Sequence, residues 1–345
     1  MIREERKSNI ELLRLVLMLM IVIIHFLGHN YLSAAEPAKI DSQHFFTANL
    51  LFSFIVCAVD CFVLISGWFS IKFNVTKLFM FLLPICFYQL LMSCIYLPYG
   101  SNLSINPFRY WFVPPYVALM VISPLLNKGL NTVSKKNLTI ILAVLTVFFI
   151  LPIKSPSGMY GKNAFIFVYI YCLGFYLRNH FDNKHSAMKY FAMFLLSVAM
   201  IFVETIVLAK MGHYEGTRTL SYSYDNVFII SAAVFMFLTF SKLNFKSKVV
   251  NYLSASAFFV YIITENENCY CNETHSIYKI LDVPSWEMSD NFIIRILAAS
   301  VLLFAVALVV DIVRRLIFSK PEQLIKQKLT ALEQRYLSDG DIQTA

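Results

Sequence analysis

Two polar side chains interrupt the first apolar run of the chain, NIELLRLVLMLMIVIIHF at 9–26: Arg14 and His25. Ionisable groups inside such a run are costly in a bilayer and are functional candidates for that reason. Eleven residues separate the two, which on an α-helix places them within roughly 20° of one face and about 16 Å apart along the axis. An imidazole with an ordinary pKa of about 6.5 takes a proton from a hydroxyl near neutral pH. It can equally carry an acyl group as a nucleophile, and the spacing leaves both roles open. Plainer readings stand beside these. Arg14 can snorkel to the headgroups or pair with Glu11 one turn earlier, and His25 can be a buried histidine bonded to a neighbouring helix.

Other polar or aromatic residues are weaker candidates. Asp60 lies within the second apolar run and needs a partner if it is charged. Lys72 and Lys77 flank the following loop and could attract phosphates, although lysines on inner loops are expected in any case. Trp111 and Tyr116 read first as members of an aromatic belt. Between them Pro114 and Pro115 distort or start a helix, freeing backbone groups that must face protein or water, which points to a cavity nearby. Glu204 and Arg295 sit near the ends of their runs, and Asp311 is one turn before Arg314 and Arg315, the spacing of a local ion pair. Cys57, Cys61, Cys86, Cys94 and Cys172 lie in apolar runs as small hydrophobes. Cys269 and Cys271 form a C-x-C without a second pair at zinc-ligand spacing, so no metal site is expected. No G-x-S-x-G elbow, P-loop or H-E-x-x-H occurs in the sequence.

The elements that position these residues are apolar helices. Of the 345 residues 58% are hydrophobic and 14% charged, where a soluble domain carries roughly 25% charge. A crossing helix needs about 20 apolar residues. That ruler predicts an all-α, polytopic membrane helix bundle of about ten transmembrane helices, centred in 10–29, 46–69, 78–98, 111–127, 138–153, 163–177, 190–209, 226–241, 249–264 and 292–313. The net charge of +8 implies no nucleic acid, since Lys and Arg belong first on cytoplasmic loops. With the N-terminus inside, the inner segments hold Arg3, Arg6, Lys7, Lys72, Lys77, Lys128, Lys135, Lys136, Arg178, Lys184, Lys189, Lys242, Lys246, Lys248, Arg314 and Arg315. The outer ones hold Lys39, Arg109, Lys154, Lys162, Lys210, Arg218 and Lys279. That asymmetry predicts a multi-pass protein of the cell membrane with both termini cytoplasmic. The first run lacks a small-residue cleavage site and reads as a retained helix. Residues 1–318 form the membrane domain, and 319–345 a cytoplasmic tail whose EQLIKQKLTALEQRYL has apolar residues at the spacing of a short amphipathic helix.

Four stretches, in order, resemble the acyltransferase-3 family of bacterial integral membrane acyltransferases. The opening run matches that family's Arg and His on the first helix. DCFVLISGWF (60–69) is similar to the end of its second span, YWFVPPYVALMVISPLLN (110–127) to its W-F-x-x-x-Y…S-P-x-L-N segment, and FFVYIITENEN (258–268) to a late Y-L-I-H-E-N segment. Thr264 stands where that segment commonly has His, while Glu265 and Asn266 match; Lys72 and Lys77 stand where an Arg cluster is common. The resemblance covers about 9–315. It implies a membrane-embedded O-acyltransferase that takes an acyl group from cytoplasmic acyl-CoA, acetyl-CoA first, as co-substrate with no bound cofactor. The acceptor would be a hydroxyl of a capsule, wall polymer or lipid-linked glycan. His25 would be catalytic and Arg14 would hold the donor or shape its site. A polysaccharide exporter or lipid-linked sugar flippase is the alternative. The sequence does not speak to the oligomeric state, the acyl chain or the acceptor sugar.

Overall fold

The computed structural model of the chain describes residues 7–32, 40–150, 159–214, 220–272 and 275–341, and no strand occurs among them. Arg3, Arg6, Lys39, Lys154 and Arg218, together with the end of the 138–153 run, lie outside the described residues. Each of the ten apolar runs is helical: α1 (Ser8–Asn30), α2 (Phe45–Ile55), α3 (Ala58–Phe69), α4 (Val75–Tyr96), α5 (Val113–Thr132), α6 (Lys135–Ile150), α7 (Ala164–Asn179), α8 (Ala187–Lys210), α9 (Val227–Ser241), α10 (Lys248–Leu253), α11 (Ala257–Thr264), α12 (Glu267–Cys271), α13 (Ile277–Ile280), α14 (Val283–Trp286) and α15 (Phe292–Asp341). A chain surrounded by hydrocarbon must satisfy its backbone polar groups internally, and apolar runs therefore become helices. Five helical stretches are long and apolar enough to cross a membrane: α1, the α2–α3 pair, α4 with its terminal turn, α8 and α15. α7, α9 and the α10–α11 pair are apolar but shorter.

Two of the runs are divided. The second turns at Val56 and Cys57 into α2 and α3, and the ninth is divided by a tight turn over Ser254–Ser256. Polar residues fix the starts of several helices. The side-chain oxygens of Asn74, Asn163 and Asn226 accept backbone N–H groups at the first turns of α4, α7 and α9, replacing partners those groups lack inside a helix. The last run holds a surprise of length. The expected separate tail helix is one continuous helix with the final span, passing through Pro321.

α1 and the α2–α3 pair lie inside the bundle: 61% and 67% of their most apolar stretches are buried, against 28% for α8 and for α15. The outward residues of those two remain apolar, among them Leu196, Val203 and Val207 on α8 and Val301, Leu302 and Val306 on α15. A water-soluble protein does not expose apolar surface on that scale, whereas lipid accepts it. Because lipid is as apolar as leucine, close packing and polar contacts must hold the helices together. α3 and α7 use small residues for this. A methyl group added to Gly67 would stand 2.1 Å from the Tyr171 carbonyl oxygen, and one added to Gly174 would stand 2.3 Å from that of Leu64. α4 and α15 use polar groups instead. The Tyr88 hydroxyl donates to Asp311 Oδ1 at 2.9 Å and Arg314 Nε donates to the same oxygen at 2.8 Å. The expected local pair on the last helix is therefore also a link between two helices, and Arg314 reaches on to Glu322 in the extension.

Candidate active site

The start of α1 is fastened to the turns around α9 and α10. Asn9 Nδ2 donates to the Phe240 carbonyl at 3.1 Å, and Ser8 Oγ accepts the Ser247 N–H at 3.0 Å. Glu11 accepts from Ser254 Oγ at 2.6 Å and from Arg14 Nη1 at 2.8 Å. Arg14 thus has the Glu11 partner that the i,i+3 spacing allows, and its guanidinium carbon lies 5.9 Å from the Phe69 ring centre. One third of its side chain stays exposed, so it remains accessible to an anionic ligand.

Near the other end of α1 the surroundings are buried and differently composed. His25 Nε2 lies 3.2 Å from Glu265 Oε2, and His29 Nε2 lies 2.9 Å from the same oxygen. His25 Nδ1 faces the Thr264 hydroxyl at 3.3 Å. Glu265 ends α11, where its backbone N–H returns to the Tyr261 carbonyl. Asn266 begins α12 by accepting the Asn268 N–H, and its amide donates to Gln89 at 2.8 Å and to Tyr110 at 2.9 Å. The Tyr110 hydroxyl donates in turn to the Ile262 carbonyl. A carboxylate at a helix end is therefore held rigidly by its successor, while Tyr270 stacks on His29 with ring centres 4.2 Å apart. An imidazole that donates one N–H to a carboxylate keeps the lone pair of its other nitrogen for a proton. With Nε2 turned to Glu265, the Nδ1 of His25 is the nitrogen that faces the Thr264 hydroxyl.

A single cavity of about 910 Å³ joins the two ends. Its wall includes Glu11, Arg14 and Lys77 at one end and His25, His29 and Glu265 at the other. Trp111 and Tyr116 line it too, so they belong to the site as well as to any aromatic belt. Trp111 stacks on Tyr224 at 5.3 Å and carries the Lys162 ammonium 5.0 Å from its ring centre, and the Tyr116 hydroxyl meets Ser66 Oγ at 3.2 Å. The cavity suspected beside Pro114 and Pro115 is therefore present.

Other named candidates stand elsewhere. Lys72 is not part of the cavity wall; its carbonyl accepts from Lys77 Nζ. Asn266 follows Glu265, is buried and absent from the cavity wall, and is bonded to Gln89 and Tyr110. Asp60 is fully buried behind the wall, and among the described residues neither of its carboxyl oxygens has a hydrogen-bond partner.

Sequence reasoning missed His29, Lys162 and Lys326, all of which line the cavity. For His29 a signal existed, since it follows His25 by four residues and so shares its face. For Lys162 and Lys326 none did, because both read as ordinary loop or tail lysines.

Residues 7–315 match the family model described as an acyltransferase domain. No curated protein matches the chain, and no solved structure does.

Proposed function

The chain belongs to the acyltransferase-3 family, and from that premise we propose that it is a membrane O-acyltransferase moving an acyl group, acetyl first, from cytoplasmic acyl-CoA to a hydroxyl of a cell-surface or lipid-linked glycan. The observation that carries this reading is the continuous cavity with Arg14 and Lys77 at one end and the His25–Glu265 pair at the other. The first end suits the phosphates of the donor. The second suits removal of a proton from a hydroxyl.

In the proposed step, Glu265 accepts the His25 Nε2–H and so orients the ring. The acceptor hydroxyl reaches His25 from the cavity that the ring lines and gives up its proton to the imidazole. Its oxygen forms a bond to the thioester carbonyl carbon as the carbon–sulfur bond breaks. The proton then passes from His25 to the departing thiolate, leaving an ester and free coenzyme A. Thr264 itself is 2% exposed and absent from the cavity wall, which favours it as a partner that fixes the ring. Ten crossings with both ends inside would place Arg14 at the cytoplasmic face of the cell membrane and His25 in the outer half, a direction that the sequence's charge asymmetry supports.

The test compares wild type and His25→Ala in a strain lacking the gene, with ester-linked acyl groups measured on purified surface glycan. Loss of the ester in the mutant at equal membrane abundance is the expected result. Unchanged acylation in the mutant would remove His25 from the chemistry. If the deletion strain and the complemented strain carry the same ester content, the glycan is not the acceptor.

A further inference from the structure

The family match ends at residue 315, yet α15 continues to Asp341 and brings Lys326 to the cavity wall and Glu333 to the start of α4. Glu333 accepts the Val75 N–H at 2.9 Å and the Thr76 hydroxyl at 2.8 Å, so its carboxylate sits on the first turn of α4, where free N–H groups favour negative charge. Lys326 lines the cavity with Arg14 and Lys77. Lys326 and Glu333 are seven residues apart, two turns of helix, and therefore lie within roughly 20° of one face. Glu322, four residues before Lys326, shares that face and holds Arg314. The extension is thus fixed to the start of α4 at Glu333, while Glu322 is held within the same helix by Arg314, and Lys326 stands between the two.

We propose that this C-terminal extension is a structural part of the donor entrance, with Lys326 binding a phosphate of the acyl-CoA alongside Lys77 and Arg14. The proposal rests on the acyl-CoA reading above. Cations from three different helices line the one cavity, and the carboxylates near them are already engaged: Glu11 by Arg14 and Ser254, Glu322 by Arg314, Glu333 by the start of α4. An ammonium holds phosphate as a point charge without the directional fork of a guanidinium. A ligand carrying several phosphates suits such a set, and the pinned helix spares it the cost of ordering a free tail.

The experiment measures equilibrium binding of coenzyme A to purified full-length protein for wild type, K326A, K326R and E333A. K326A is expected to weaken binding by about tenfold, with a shallower dependence on salt, and K326R to stay within about threefold of wild type. E333A, which leaves every cation in place but frees the helix, is expected to weaken binding by about threefold. Equal affinity in K326A and wild type would overturn the role of Lys326, and equal affinity in E333A would overturn the pinning. If wild type does not bind coenzyme A at all, the donor reading fails and this one with it; binding by wild type and K326A alike removes only this one.

Discussion

The two ends of the cavity are built from the same central helix and differ in what surrounds it. At the start of α1, Arg14 is one third exposed and the neighbouring cations come from α4 and from the extension of α15. Eleven residues on, His25 is 7% exposed and its partners are a carboxylate, a hydroxyl and a second imidazole. An open group can exchange one anion for another at little cost, because water shares the work. A buried imidazole cannot, and every polar neighbour it keeps must be supplied by the protein. The difference teaches that one end of a single helix is suited to holding a ligand and the other to moving a proton. Substitutions at the two ends should therefore affect different kinetic constants.

The largest effect falls at the buried end. With purified enzyme, labelled acyl-CoA and isolated glycan, His25→Ala should lower the rate of ester formation at saturating donor by roughly 10³-fold. Glu265→Gln, which keeps the shape and removes the charge, should cost about 10²-fold in kcat with the KM for donor unmoved. A change in donor KM with kcat intact would reverse the assignment of the two ends.

His29→Ala comes next. His29 shares Glu265 Oε2 with His25, so its removal loosens the carboxylate without altering the His25 side chain. A loss of about tenfold in kcat is expected. His29→Gln, which can still donate to Glu265, should recover most of that loss. Failure of Gln to do better than Ala would mean that His29 acts by bulk or by its stacking on Tyr270.

How much of this was legible follows from what an apolar run records. It reports the surroundings of one segment, so the all-helical character of the chain and the shared face of Arg14 and His25 could be read directly. It does not report which helices become neighbours. That Glu265 lies between two histidines more than 230 residues away, and that Gly67 and Gly174 draw α3 against α7, depends on packing between distant runs. Lys72 and Lys77 illustrate the same limit at short range: both looked equally placed in the sequence, and only the helix start at Asn74 turns the second one inward. The extension of α15 escaped for a related reason. Its amphipathic spacing was visible, but as a tail separate from the last span, and the two are one helix that passes through Pro321.

A smaller effect belongs to the open end. Arg14→Lys keeps a cation beside Glu11 and loses the planar fork, so donor KM should rise about fivefold while kcat stays within about twofold. A fall in kcat to match would place Arg14 in the chemistry and erase the division between the ends.

The finest test lies within one loop. Lys77 is on the cavity wall and Lys72 is not, although the Lys72 carbonyl accepts from the Lys77 ammonium. Lys77→Ala should raise donor KM by about threefold, the loss of one partly screened charge. Lys72→Ala removes a side chain and leaves that carbonyl in place, so the donor KM should not move. Both proteins retain the Asn74 cap on Lys77's backbone N–H, which keeps the start of α4 intact and makes the pair a comparison of position alone. Equal effects would mean that the donor responds to the summed charge of the loop. An effect confined to Lys77 would mean that it responds to the opening itself, and would extend the contrast between the cavity's ends down to neighbouring residues of the same type.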